Sequence, residues 1–445
     1  MAGTIAAGVA AANITPSVGF DTIGDYLRLV PARGVADELH AKALVLDDGT
    51  TRLAIVTADI ITFSEPLLHE TRARIEELTG IPGTSVLLSA SHTHSSPAID
   101  ERDHPSQTYL AELAKKIAGA VFMADQAKRE ALIGCGSGEA RVSINRWQQT
   151  PAGGVAWGPN PDGPADPDVL VMRVDDLHHT PMAILVSFAS HPSILGSDNL
   201  LYSGDYAGYV QSGVEAAYGG QAAALFATGA GGDIKIAVLT DDASRFAYTT
   251  PDDCRRFGTV IADEAVRVAA AIETRPIGRI RAATIRADLP LVGLPTAAEL
   301  ETLIGQLQHR LADPAGPRIN NARVQLAWAE ATLAALRQGP LPPTMPADLQ
   351  LLRLGSDIAL FAVPGELFVE VGLELKRAMD LPGPFVVAYA NGCIGYMPSR
   401  RAEAWGWCDA DDSYRYGSQP ANFSGAIEGV LLDALRSLLD QTAAS

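Results

Sequence analysis

The chain has 445 residues, 47% apolar and 19% charged, the balance of a globular protein with a large core. Its 34 Lys and Arg against 52 Asp and Glu leave a net charge of −18, which argues against nucleic acid or an anionic membrane as the main partner, since both need a basic surface. Cys135, Cys254, Cys393 and Cys408 lie far apart and form no Cys-x-x-Cys, so they read as reduced, partly buried thiols.

The first nineteen residues carry no Lys or Arg ahead of their small apolar stretch, a poor secretory signal, so a cytoplasmic setting is expected. Val9, Ala11 and Ile14 alternate into Thr15-Pro16, the pattern of a first strand ending in a turn. No apolar run reaches the roughly 18 residues of a membrane span, and no membrane anchor is expected. Residues 40–60 read as a hairpin around Asp47-Asp48-Gly49, residues 65–79 as a helix, and "TSVLLSAS" as a strand buried on both faces. A long amphipathic helix follows over 106–130. Then come the strands "DVLVMRVDD" and "PMAILVSFASHP", a helix through "DYAGYVQSGVEAAYG", the strand "AALFATGAGGD" and a helix over 251–272. A strand-rich stretch to about Leu291 precedes two charged helices split by "PAGP", a surface helical hairpin over 296–338 that could cover the site or contact a second copy. "LQLLRLGSDIALFAVPGE" and "PFVVAYANG" give further strands, and "GAIEGVLLDALRSLLDQ" the closing helix. Strands and helices alternate throughout, so the expected class is α/β, with mixed sheets covered by helices in a single large domain over 1–445.

Four strand ends depart from the core pattern: "SASHTHSSP", "FASHPS", "VPGE" and "YANGCIGY". If the first strand continued, His92 and His94, two residues apart, would share a face. His191 comes from another strand end, and Pro364-Gly365 would let a helix begin at Glu366. Two His and one Glu suit zinc with a position left for water. There is no His-Glu-x-x-His, however, and the candidates are about a hundred residues or more apart. Spacing alone leaves each histidine readable as a hydrogen-bonded core or surface residue.

"GVAAANITPSVG", "LHAKALVLDDG", "SASHTHSSP", "INRW", "FASHPS", "GAGGD", "AVPGELF" and "NGCIGYMP" occur in the order expected of the neutral ceramidase family. The chain resembles that family's catalytic domain from about residue 7 to 440, without its C-terminal immunoglobulin-like domain, and looks like its short prokaryotic branch. The resemblance implies a zinc amidase fold with one zinc per chain, held by His92, His191, Glu366 and Tyr396. It also implies that His94 and Arg146 face the substrate. Neutral ceramidases carry Gly-Asp-Val-Ser-Pro-Asn, whose serine was proposed as a nucleophile. Here the matching stretch is Gly232 to Ala237, with Lys235 at the serine's place.

Lys235 reads more simply as a solvated side chain than as an activated amine. A metal that brings the pKa of bound water towards about 7 makes a serine unnecessary. His94 would then serve the oxyanion or the leaving amine. The expected activity is hydrolysis of a linear N-acyl amide other than ceramide. The alternatives are a zinc esterase or lactonase, a carbohydrate N-deacylase, and a degenerate relative that binds a ligand without turnover. Tyr26, Tyr414, Tyr416, Trp405 and Trp407 could line the pocket or simply pack.

Overall fold

A computed structural model describes residues 5–24, 31–98, 104–151, 153–247, 249–312, 319–417 and 419–443. Tyr26 lies outside these. An eight-stranded sheet runs Ala223–Thr228, Pro181–Phe188, Asp168–Asp176, Arg129–Glu139, Ile5–Asn13, His40–Asp47, Arg52–Ala58 and Val86–Ala90 in spatial order. A five-stranded sheet runs Gly383–Val387, Ile358–Ala362, Thr344–Leu354, Ile280–Val292 and Asn422–Phe423. Alternation within each strand dictates how these sheets pack. Leu44, Leu46, Leu352, Leu354, Phe385 and Val387 share one core between the sheets. The intervening Ala43, Val45, Leu351 and Val386 turn the other way, into a core shared with the covering helices. Burying each Leu, Val or Phe is worth about 1.5–3 kcal/mol, and a one-residue slip would exchange the two faces, so register is strongly set. The result is four layers: helices, large sheet, small sheet, helices.

Local signals place the helices. Glu65–Thr79 begins where Ser64 Oγ accepts from Leu67 N at 3.4 Å and ends at Gly80, whose φ of 70° suits glycine. With His104–Gln126 it covers one outer face of the large sheet. Asp205–Ala217 and Pro251–Ala271 cover the rest of that face. Val369–Met379 and Ile427–Thr442 close over the small sheet. The hairpin is Ala297–Leu311 and Ile319–Gln338, opened by a reciprocal cap between Thr296 and Glu299. Its second helix docks on the chain after residue 411: Trp328 Nε1 donates to Gln419 O at 2.8 Å and Gln325 Nε2 to Asp412 at 2.8 Å. Among the described residues, no helix is long and apolar enough to cross a membrane.

Two sequence expectations change. No helix starts at Glu366: Glu366–Leu367 pairs in parallel with Tyr396–Met397, and the helix begins at Val369. Strand Val86–Ala90 stops before the first histidine, which has a φ of 65°. The rule that i and i+2 share a strand face therefore does not bring His92 and His94 together. The turn after the strand does.

Most neighbouring strands run antiparallel, but Arg52–Ala58 with Val86–Ala90, Pro181–Phe188 with Ala223–Thr228, and Ile358–Ala362 with Gly383–Val387 run parallel. The chain leaving the carboxyl ends of these parallel strands carries the histidines, the "GAGGD" loop, Glu366 and Tyr396, which is where open α/β sheets place ligands. The two edge strands of the large sheet are tied there by one segment of the small sheet. Ala388 N donates to Thr228 O at 3.0 Å, Asn391 N to Leu88 O at 2.7 Å and Ala90 N to Tyr389 O at 3.1 Å.

Candidate metal centre

His92, His94 and His191 present donor atoms that all lie within 4.8 Å of one another. His92 Nδ1 is 2.7 Å from Ile61 O, and His191 Nδ1 is 3.2 Å from Gly231 O. A carbonyl only accepts, so each Nδ1 carries the hydrogen and each Nε2 keeps its lone pair for the cluster. Both lone pairs face the Glu366 carboxylate, whose Oε2 is 3.4 Å from His92 Nε2 and 3.7 Å from His191 Nε2. That oxygen is buried and has no hydrogen-bond partner. A buried, unpaired carboxylate oxygen is costly, and two imidazole lone pairs pointing at it add no donor. A cation there would resolve the conflict, and nitrogen and oxygen donors of this kind suit zinc. His191 is fully buried, and burial, then the Arg146 charge and the neighbouring histidines, hold its pKa well below the usual value. It is therefore neutral, as a ligand must be.

His94 Nε2 stands 2.8 Å from His191 Nε2. Because His191 offers only a lone pair there, the hydrogen in that contact belongs to His94. The fold thus sets His94 inside the donor cluster rather than simply beside it. Gly24 packs on it: at a φ of 105°, a Cβ on Gly24 would fall 2.6 Å from His94 Cα. Gly24→Ala is expected to displace His94, lowering the turnover of whatever reaction it serves about tenfold or more while zinc content stays near that of the parent; kinetics and elemental analysis on one preparation check this.

Tyr396 is brought to the rim of the cluster by its pairing opposite Glu366. Its hydroxyl accepts from Arg146 Nη2 at 2.8 Å, and the same nitrogen donates to Gly232 O at 2.7 Å. Burial pushes the Tyr396 pKa well above the usual value, against the pull of Arg146. For Arg146, burial lowers the pKa, but the neighbouring Tyr396 oxygen and Glu366 carboxylate outweigh it and leave it raised. The glycines of "GAGGD" allow this closeness: a Cβ on Gly232 would lie 2.3 Å from Glu366 O. His92, His94, His191, Glu366, Tyr396 and Arg146 therefore converge from five separate chain segments.

The other candidates divide. Trp407 is buried and meets the Tyr396 ring edge-on at 5.7 Å. Tyr414 packs on Trp328 of the hairpin, and Tyr416 accepts from Gln325 at 3.0 Å. Trp405 lies under Arg401. Lys235 is not a solvated side chain: its ammonium donates to Ser193 O and sits 5.4 Å from the Phe246 ring centroid. Sequence reasoning passed over Asp233, which is buried and accepts from Val369 N at 2.7 Å and Asn145 Nδ2 at 2.8 Å. It also passed over Tyr389, although the "YANG" turn signal marked that corner.

Asp37 braces the histidine loop from behind. It accepts from Ser203 Oγ and, at 2.7 Å, from Gly204 N. Ser203 in turn holds Ser95 and Thr93: its N donates to Ser95 O at 3.0 Å, and its carbonyl accepts from Thr93 Oγ1 at 2.6 Å. Burial raises the Asp37 pKa to about 7, so between about pH 4 and 7 the folded protein holds a proton the unfolded chain has lost. This contribution to stability is complete below pH 4 and falls away as pH rises through 7. Asp37→Asn is expected to flatten that slope, by on the order of 4 kcal/mol between pH 4 and 8 in urea titrations. An unchanged slope would show that Asp37 titrates normally.

With this geometry in view, no family model matches the chain. Solved structures do. Neutral ceramidase from Pseudomonas aeruginosa superposes at a TM-score of 0.71, with 19% identity over 99% of this chain and 75% of that one. The chain has the neutral ceramidase fold. A ceramidase complexed with C2 also superposes at 0.71, with 18% identity over 99% of this chain and 77% of that one.

Proposed function

We propose that the protein is a zinc-dependent hydrolase that cleaves the amide bond of an N-acyl substrate with water as the nucleophile. The observation that carries the reading is the partnerless Glu366 Oε2 facing the Nε2 lone pairs of His92 and His191. His92, His191, Glu366 and Tyr396 would hold zinc, one per chain. Zinc, when bound, lowers the pKa of water and polarises a carbonyl. The chain's own groups do the rest. Arg146 holds the Tyr396 oxygen in place and keeps positive charge beside it. His94 carries a hydrogen on Nε2, available first to a developing oxyanion and then to the departing nitrogen. As the water oxygen bonds to the acyl carbon and the carbon–nitrogen bond breaks, the amine leaves with a proton and the acid remains.

The fold shared with two ceramidase structures supports amide hydrolysis. Lys235 at the serine's place in the "GAGGD" stretch favours a substrate other than ceramide and a small-molecule N-acyl compound as the partner. Lys235 does not serve as a nucleophile, because its ammonium is engaged by the Ser193 carbonyl. Lys235→Ala is expected to change the rate by less than about tenfold, or about 1.4 kcal/mol of barrier; an acylated Lys235 peptide trapped during turnover would contradict it.

The test of the function is elemental analysis of protein purified without chelator, followed by rates on matched N-acyl amides and esters before and after zinc removal. About one zinc per chain and a zinc-restored rate favouring amides is the expected result. No transition metal, and no rate regained with zinc, would sink the proposal. A restored rate on esters alone would make the protein an esterase.

A further inference from the structure

Tyr389 is fully buried and sits in the left-handed region with a φ of 52°, an unfavourable conformation for an aromatic residue. Strain of this kind persists only where the surroundings fix it. Here its backbone joins two of the loops that build the centre: Tyr389 N donates to Gly365 O at 3.1 Å, just before Glu366, and Tyr389 O accepts from Ala90 N at 3.1 Å, just before the first histidine. The side chain reaches the first histidine itself and the loop of His191. Its ring stacks on the His92 imidazole, centroids 4.1 Å apart and planes 22° from parallel. Its hydroxyl oxygen lies 3.2 Å from His191 Nδ1.

We propose that Tyr389 is a positioning residue that orients the His92 and His191 imidazoles so that both present Nε2 to the same point. The proposal rests on the metal reading above and deepens it. The Nδ1–H of His191 is shared between two long contacts, Gly231 O and Tyr389 Oη, each at 3.2 Å. Neither is short enough to fix the ring alone, and together they fix its plane. His92 has one short contact, to Ile61 O at 2.7 Å, which leaves the ring free to swing about that bond. Stacking on Tyr389 removes the swing. An aromatic residue that merely filled the core would need no hydroxyl, and would not place one on an imidazole nitrogen. Such outer contacts commonly govern metal affinity by about 10–100-fold.

The experiment compares the full-length parent with Tyr389→Phe and Tyr389→Leu. Zinc affinity is measured by competition with a chelator, and thermal unfolding is followed on the metal-free proteins. Phe keeps the ring and the backbone preference and loses only the hydroxyl. It should unfold within about 2 °C of the parent and bind zinc about tenfold more weakly. Leu also loses the stacking and should bind at least about a hundredfold more weakly. If both variants bind zinc within about twofold of the parent, Tyr389 does not orient the ligands. A Phe variant that weakens zinc only together with a large fall in unfolding temperature also overturns the proposal, because packing would then explain it. If Leu fails to fold, Phe alone decides. A parent that takes up no zinc defeats the metal reading and this proposal together, whereas a zinc-binding parent with unaffected variants defeats only this one.

Discussion

His191→Ala and His92→Ala should each yield protein without metal and without activity, whereas His94→Ala should keep the metal and lose about 10²–10⁴-fold in rate. The asymmetry follows from where each imidazole keeps its hydrogen. Backbone carbonyls keep the hydrogens of His92 and His191 on Nδ1, which leaves Nε2 as a ready ligand. His94 points a hydrogen at His191 Nε2 across 2.8 Å. That contact and metal ligation compete for one lone pair, so with His191 engaged as a ligand the His94 hydrogen would be turned toward a substrate. Removing His92 or His191 takes one of two nitrogens from a site whose oxygen donors would be Glu366, with its partnerless Oε2, and Tyr396. Removing His94 takes away a proton donor. Elemental analysis and kcat on the three variants check this. If His94→Ala loses metal as fully as His191→Ala, then His94 is itself a ligand, and proton delivery to the amine passes to another group.

Much of this architecture was readable from residue pattern, because the core pattern is strong. Strand Val86–Ala90 is buried at every position, and unbroken apolar residues bounded by turns declare such a strand. The 296–338 hairpin declared itself through helical spacing on both sides of "PAGP". The histidines stood out because they interrupt that pattern at strand ends. What the pattern did not carry is conformation beyond the strand. His92 adopts a φ of 65° and Glu366 enters a short parallel pairing rather than a helix, and both are decided by contacts outside their own segments: His92 N donates to Ile60 O, and Glu366 N to Gly395 O beside its partner Tyr396. Tyr389 was hidden for the same reason. In sequence it is one more aromatic after an apolar run, and only the meeting of both sheet edges at residues 388–391 gives it a role. Lys235 looked solvated because its neighbours in sequence do not show that Ser193 O lies within reach of its ammonium.

Arg146→Lys should lose at least about a thousandfold in kcat/KM, or about 4 kcal/mol of transition-state stabilisation, although charge is conserved. The Arg146 side chain is buried, 6% exposed, and one of its terminal nitrogens donates at once to Gly232 O at 2.7 Å and to the Tyr396 hydroxyl at 2.8 Å. The guanidinium also lies 5.7 Å from the Tyr396 ring centroid. A planar, permanently charged fork meets this geometry; a shorter, strongly hydrated ammonium does not. With lysine, either the "GAGGD" carbonyl or the tyrosine oxygen loses its donor. The surviving charge must also be buried with fewer partners. Tyr396→Phe should weaken zinc binding as well as lower the rate, since it removes a proposed ligand, while the arginine would keep its bond to Gly232. In the double variant the losses should fall well short of additive, because both substitutions remove the same contact. Rates of the four proteins at saturating zinc, with zinc content measured on each, separate a catalytic loss from a failure to load metal. An Arg146→Lys enzyme within about threefold of the parent would show that the pairing of Arg146 with Tyr396 does not act in the transition state.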